Sequence, residues 1–142
     1  MRINLLCIGK TDDKKITELI SYYIARLPKH WNFEMIEIPD AKNARNLSSD
    51  LLKKEEAKLF FNHIENTDLV ILLDEKGKEF TSREFAQKLN YYQNNSIKKV
   101  CFLIGGAYGF SDEMYNRANE KLSLSKMTFT HQMIRLFFVE QI

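Results

Sequence analysis

The stretch V-C-F-L-I-G-G-A-Y-G-F, residues 100–110, decides how this chain is read. An apolar run stops abruptly at two adjacent glycines, the pattern of a strand buried on both faces that ends in a loop open to close backbone approach. A strand of that kind belongs in a sheet covered by helices on both sides. The flanking sequence supplies them.

Working outward, residues 68–73 (D-L-V-I-L-L) form a second such run, and D-E-K-G at 74–77 reads as a tight turn after it. Between the two runs, Thr81-Ser82-Arg83-Glu84 matches a capping box. Phe85, Leu89 and Tyr92 then mark the buried side of a helix that Asn94-Asn95-Ser96 breaks. Upstream, Ser48 or Ser49 caps a charged helix running to about His63, with Leu51, Leu52, Glu55, Lys58 and Leu59 as a mixed face. His63 suits the negative end of that helix. Residues 33–38 (F-E-M-I-E-I) alternate as a strand ended by Pro39-Asp40, and residues 40–47 read as a mobile polar loop carrying Lys42 and Arg45. The chain opens with a strand at 3–8, closed by Gly9. A helix capped by Asp12 or Asp13 follows, with Ile16, Leu19, Ile20, Tyr23, Ile24 and Leu27 on one face and Pro28 as its limit.

The resulting order, β-α-β-α-β-α-β up to Ile104, predicts an α/β fold with a mostly parallel sheet. Ligands of such sheets bind beyond the carboxyl ends of the strands, where Leu73-Asp74-Glu75 and Gly105-Gly106 emerge.

Composition narrows the function. A chain of 142 residues fits one domain, and a net charge of +2 is too small to signal nucleic-acid binding by itself. Cys7 and Cys101 sit in apolar runs without C-x-x-C spacing, so they read as small buried hydrophobes, and no metal site is expected. No stretch approaches the roughly 20 apolar residues of a membrane span, and no signal peptide is recognisable. No membrane association is expected, and the expected compartment is the cytoplasm.

Gly105-Gly106-Ala107-Tyr108-Gly109 is not G-x-G-x-x-G, because Ala107 holds the second glycine position, and it lacks the Lys-Ser/Thr of a phosphate-binding P-loop. Residues 122–127 (L-S-L-S-K-M) alternate like a strand yet flow into Thr128-Phe129-Thr130, where Thr130 is placed to cap a last helix. A loop with small hydroxyls there could hydrogen-bond an adenine edge. His131 and Arg135 are four apart, on one face near the start of that helix. Arg135 suits a carboxylate or phosphate and His131 a substrate contact. Equally, His131 can pack and Arg135 can form a structural ion pair.

Taken together, I-G-G-A-Y-G-F, R-A-N, and L-S-L-S-K-M-T-F-T-H-Q-M-I-R-L-F-F-V-E-Q-I, with the opening I-N-L-L-C-I-G-K and the L-L-D-E-K-G turn, resemble the ribosomal RNA large subunit methyltransferase H family of SPOUT-class enzymes. The likeness covers essentially the whole chain. It implies transfer of a methyl group from S-adenosylmethionine to N3 of a pseudouridine in 23S ribosomal RNA of the assembled ribosome, by a homodimer. It also implies an α/β trefoil knot, which the linear order of elements cannot report. Matching the family motif residue by residue implies a cofactor site at Leu73, Gly105, Leu124, Ser125, Lys126, Met127, Thr128 and Phe129, with His131 and Arg135 as catalytic candidates. Family members continue past E-Q-I with a segment that begins Tyr-Arg-Ala. The expectation for residues 1–142 is therefore one SPOUT domain without that last segment. A ribosome-binding or assembly factor of the same fold, without methyl transfer, is the alternative.

Overall fold

Residues 100–104 occupy the middle of the sheet, as their two-sided apolarity requires. In the computed structural model, which describes residues 1–142, they belong to a strand, Lys99–Ile104, whose Val100, Cys101, Phe102 and Leu103 are fully buried. In chain order the elements are β1 (Arg2–Ile8), α1 (Lys14–Ile24), β2 (Phe33–Ile38), α2 (Ser49–Phe61), β3 (Leu69–Glu79), α3 (Ser82–Asn94), β4 (Lys99–Ile104), α4 (Asp112–Arg117), β5 (Glu120–Ser123) and α5 (His131–Gln141). The strands lie in the order β2-β1-β4-β3-β5, and every pairing is parallel.

Alternation along the strands divides the core into two layers. Ile3, Leu5 and Cys7 of β1 and Phe102 of β4 pack with Ile20 of α1, Phe85, Leu89 and Tyr92 of α3, and Leu136, Phe138 and Val139 of α5. Leu6 and Ile8 of β1, with Val70, Leu72, Cys101 and Leu103, face α2 and α4 through Ala57, Phe60 and Met114. The helices start where side chains cap them: Asp13, Ser48, Thr81 with its reciprocal partner Glu84, Ser111 and Thr130 each accept from a backbone N–H of the first turn. Burial pushes the Cys7 thiol up to about 12, which leaves it inert. No helix is long and apolar enough to cross a membrane.

Several details differ from the sequence reading. The D-E-K-G segment is not a turn: β3 runs on to Glu79, and residues 74–77 form a bulge in its pairing with β5. Leu73 and Lys78 both register with Leu122, so four residues are displaced from the ladder. The buried face of α2 consists of Leu52, Glu56, Ala57 and Phe60, while Leu51 is 51% exposed. Likewise α1 stops at Ile24, and its Leu19 faces solvent. The 40–47 segment contains a 3-10 turn at Ala44–Asn46. Helix α4 was not anticipated, and β5 covers only the first two residues of the L-S-L-S-K-M run.

Candidate functional site: a cleft at the ends of three neighbouring strands

Parallel register aligns Ile104 of β4, Leu73 of β3 and Leu122 of β5 across the sheet. The ladder is then left or interrupted at the same edge: Gly105 follows β4, the bulge interrupts β3 after Leu73, and Leu124 follows β5. Beyond them lies a cleft of about 480 Å³, within the range of pockets that hold small ligands.

One wall is the glycine loop. Gly109 donates its N–H to Gly106 O at 3.1 Å and has φ +80°, so the loop closes as a tight turn that a side chain at 109 would strain. A Cβ on Gly105 would lie 3.2 Å from Gly109 O and 3.3 Å from the Phe110 ring. The close fold of this loop therefore depends on glycine at both positions.

The opposite wall is the segment after β5. Ser123 Oγ donates to Ser125 O at 2.9 Å, and Met127 N donates to Ser125 Oγ at 3.0 Å. The Ser125 hydroxyl and that of Ser123 thus shape the loop itself, rather than standing free for a ligand edge. Met127 is left 76% exposed, and Phe129 packs on Phe137 with the rings tilted at 46° and a centroid distance of 4.7 Å. Of the residues that the family motif singled out, Leu73, Gly105, Leu124, Ser125, Met127, Thr128 and Phe129 line the cleft. Lys126 does not.

The bulge contributes Asp74, Glu75 and Lys76 to the lining. Asp74 accepts from Lys76 N at 2.9 Å and from the Tyr115 hydroxyl. Tyr115, on α4, also lines the cleft. Burial raises its pKa, and the bond to Asp74 adds to the shift, so it stays a neutral donor that holds the carboxylate in place. Sequence reasoning missed Tyr115 because its helix went unassigned. The Ser111-Asp112-Glu113 start, a cap followed by acids, is the signal that marks it.

His131 and Arg135 part company. His131, the first residue of α5, lines the cleft. Arg135 is 1% exposed and points to the ends of β1 and β2, donating to Ile8 O at 2.8 Å, Thr11 Oγ1 at 2.9 Å and Glu37 Oε2 at 3.3 Å. Gln132 reaches the same region, accepting from Asp12 N at 2.8 Å and donating to Lys10 O at 3.2 Å. Together they fix the start of α5, and with it His131, against the β1–α1 connection.

A parallel sheet whose cleft is walled by a glycine loop after one strand and a hydroxyl-shaped loop after another is matched over residues 1–142 by the family model described as "Predicted SPOUT methyltransferase". The chain belongs to the SPOUT methyltransferase family. Similar proteins include "Ribosomal RNA large subunit methyltransferase H" of Cytophaga hutchinsonii, 54% identical over all of this chain and 91% of its own length. The proteins of that name from Christiangramia forsetii and Parabacteroides distasonis are each 49% identical, over all of this chain and 90% of theirs. As a SPOUT methyltransferase the protein works with a methyl-donor cofactor.

Proposed function

We propose that this SPOUT methyltransferase transfers a methyl group from S-adenosylmethionine to N3 of a pseudouridine in 23S ribosomal RNA, acting on the assembled ribosome as a homodimer in the cytoplasm. The observation that carries the cofactor assignment is the convergence of seven motif residues, from three neighbouring strands and the loops that follow them, on one cleft. Its chemistry suits the donor. Leu73, Leu124, Met127 and Phe129 offer apolar contact to an adenine, and the folded backbones at Gly105 and 125–128 offer hydrogen bonds. Asp74 adds a fixed negative charge, complementary to a cationic ligand.

S-adenosylmethionine supplies an electrophilic methyl group on a sulfonium centre. The chain's own residues have to position the two reactants and manage one proton, because the imide nitrogen loses its hydrogen as the methyl group arrives. His131 is the titratable side chain that the end of α5 brings to the rim, and we assign it the substrate-side contact. Arg135 contributes by holding α5 in place. The RNA assignment rests on the names of the relatives.

Homodimer formation is supported by the exposed aromatic pair Phe129 and Phe137. Beside it runs a groove of about 230 Å³, to which Phe80, Phe85 and Leu124 also contribute.

The proposal is tested by titrating S-adenosylmethionine into the protein calorimetrically, then incubating both with ribosomes from a strain lacking the modification. Digestion and mass spectrometry should find a base-methylated pseudouridine. A methylated ribose, or ribosome association without transfer, overturns the substrate assignment. In the binding assay, Gly105→Val should abolish cofactor heat while the fold persists; unchanged heat rejects the site.

A further inference from the structure

Three charged side chains are buried in this protein: Asp68, Arg135 and Glu56. Asp68 has Lys99 Nζ at 2.8 Å, and Arg135 has Glu37 at 3.3 Å. Glu56, 6% exposed on the inner face of α2, has no ion-pair partner. The nearby charge that acts on it is another carboxylate, Asp40, in the β2–α2 connection. A buried carboxylate so placed costs stability, and an apolar residue beside Leu52, Ala57 and Phe60 would avoid that cost.

What Glu56 does touch is the glycine loop. Its carboxyl group abuts Gly106 so closely that an added Cβ there would lie 2.6 Å from Oε1 and 2.8 Å from Cδ. Of the influences on the Glu56 charge the Gly106 backbone is the favourable one, and Gly106 itself is bridged to Gly109, its O accepting from Gly109 N at 3.1 Å. Having no side chain, Gly106 can be gripped from α2 only through its backbone.

We infer that Glu56 is a positioning residue, whose carboxyl group is seated against the Gly106 backbone from behind the cleft and holds the Gly105–Gly106 wall in the shape that receives the methyl donor. This inference rests on the cofactor reading proposed above. It deepens that reading by assigning the rigidity of the wall to a residue outside the cleft, since Glu56 does not line it. A preorganised wall binds without first having to be ordered, which is how a contact outside the cleft raises affinity.

Three variants separate grip from bulk. Glu56→Leu fills the space without an acceptor, Glu56→Gln keeps an acceptor oxygen, and Asp40→Asn controls for the neighbouring charge. In S-adenosylmethionine titrations, Glu56→Leu should bind about tenfold more weakly at an equal or higher Tm, whereas Glu56→Gln should stay within about threefold of the original protein. Retained stability with lost affinity is not what a merely structural residue would produce. The Gly106 amide resonance should also titrate with a midpoint near 7, where burial and Asp40 hold the Glu56 pKa, and should stop doing so in Glu56→Gln. Asp40→Asn should lower that midpoint without removing it. The inference is overturned if Glu56→Leu binds within twofold of the original, if its affinity and Tm fall together, if Glu56→Gln loses as much as Glu56→Leu, or if the Gly106 resonance is flat with pH. Absence of binding by the unaltered protein rejects the cofactor reading instead, and the Gly106 titration still tests the Glu56 contact without any ligand.

Discussion

Glu56 and Arg135 show two treatments of a charge taken out of water, and each has a measurable signature. Arg135 is surrounded by three acceptors, from the ends of β1 and β2 and from the β1–α1 connection, so its guanidinium ties three segments to α5. Arg135→Met should cost about 2–4 kcal/mol in urea denaturation, because it leaves Ile8 O buried without a donor and Glu37 without its cation. A loss below about 0.5 kcal/mol would show that the network is not structural. Glu56 has no counter-charge, and its burial is read in pH dependence instead. Its folded-state pKa is raised from 4.5 to about 7, by burial first and then by Asp40. Between those two values the folded state holds a proton that the unfolded state has released. Stability therefore falls as pH rises through this window, by up to about 1.4 kcal/mol per pH unit, and the penalty is complete above the folded pKa. Glu56→Gln should remove that slope, so its stability relative to the original protein should grow from pH 4.5 to 7 and then level off. Parallel stability curves across the window would contradict the assignment.

At the scale of elements, the strands and caps were legible because their signals are local. The alternation of F-E-M-I-E-I placed β2 with its observed bounds, and Thr81 with Glu84 announced α3 by a reciprocal bond that spans three residues. The 74–77 bulge was not legible, since a bulge is a relation between two strands and only the position of β5 creates it. Helix α4 was too short, at six residues, to display a period. The inner face of α2 was misjudged for a related reason. Glu56 looks solvent-bound in sequence, and its burial against the glycine loop arriving from β4 is a tertiary contact. Gly77 shows how tightly the bulge is built: a Cβ there would lie 2.7 Å from both Leu122 N and Lys121 C. Those are backbone atoms, which cannot swing aside. Gly77→Ala should thus cost about 1–3 kcal/mol by displacing β5. It should also weaken S-adenosylmethionine binding, because Leu122 leads directly into the wall at 124–129. Unchanged Tm and affinity would mean that the bulge can relax without moving β5.

For the whole molecule, the decisive fact is one that periodicity could not supply: β4 inserts between β1 and β3, and β5 lands outside β3. That order sets the ends of β4, β3 and β5 side by side and turns residues more than fifty positions apart into one cleft. The motif residues were legible as a group only through family resemblance, and the local chemistry of His131 and Arg135 left open which of them faces the cleft. The same packing leaves an asymmetry on α5. Of its apolar run, Leu136, Phe138 and Val139 are buried in the core, while Phe137 remains 38% exposed against Phe129, whose own backbone walls the cleft. An aromatic pair at this position would give the second subunit of the proposed dimer an anchor that touches the wall of the cleft directly. Sedimentation of the proposed dimer should give twice the mass of one chain. Phe137→Asp, on a side chain that the subunit's own core does not need, should convert it to a monomer with less than about 1 kcal/mol change in chain stability. Because Phe129 loses its cover at the same time, the monomer should bind S-adenosylmethionine more weakly. A Phe137→Asp protein that still sediments as a dimer would place the subunit contact elsewhere, and a monomer with undiminished affinity would separate that contact from the cofactor wall.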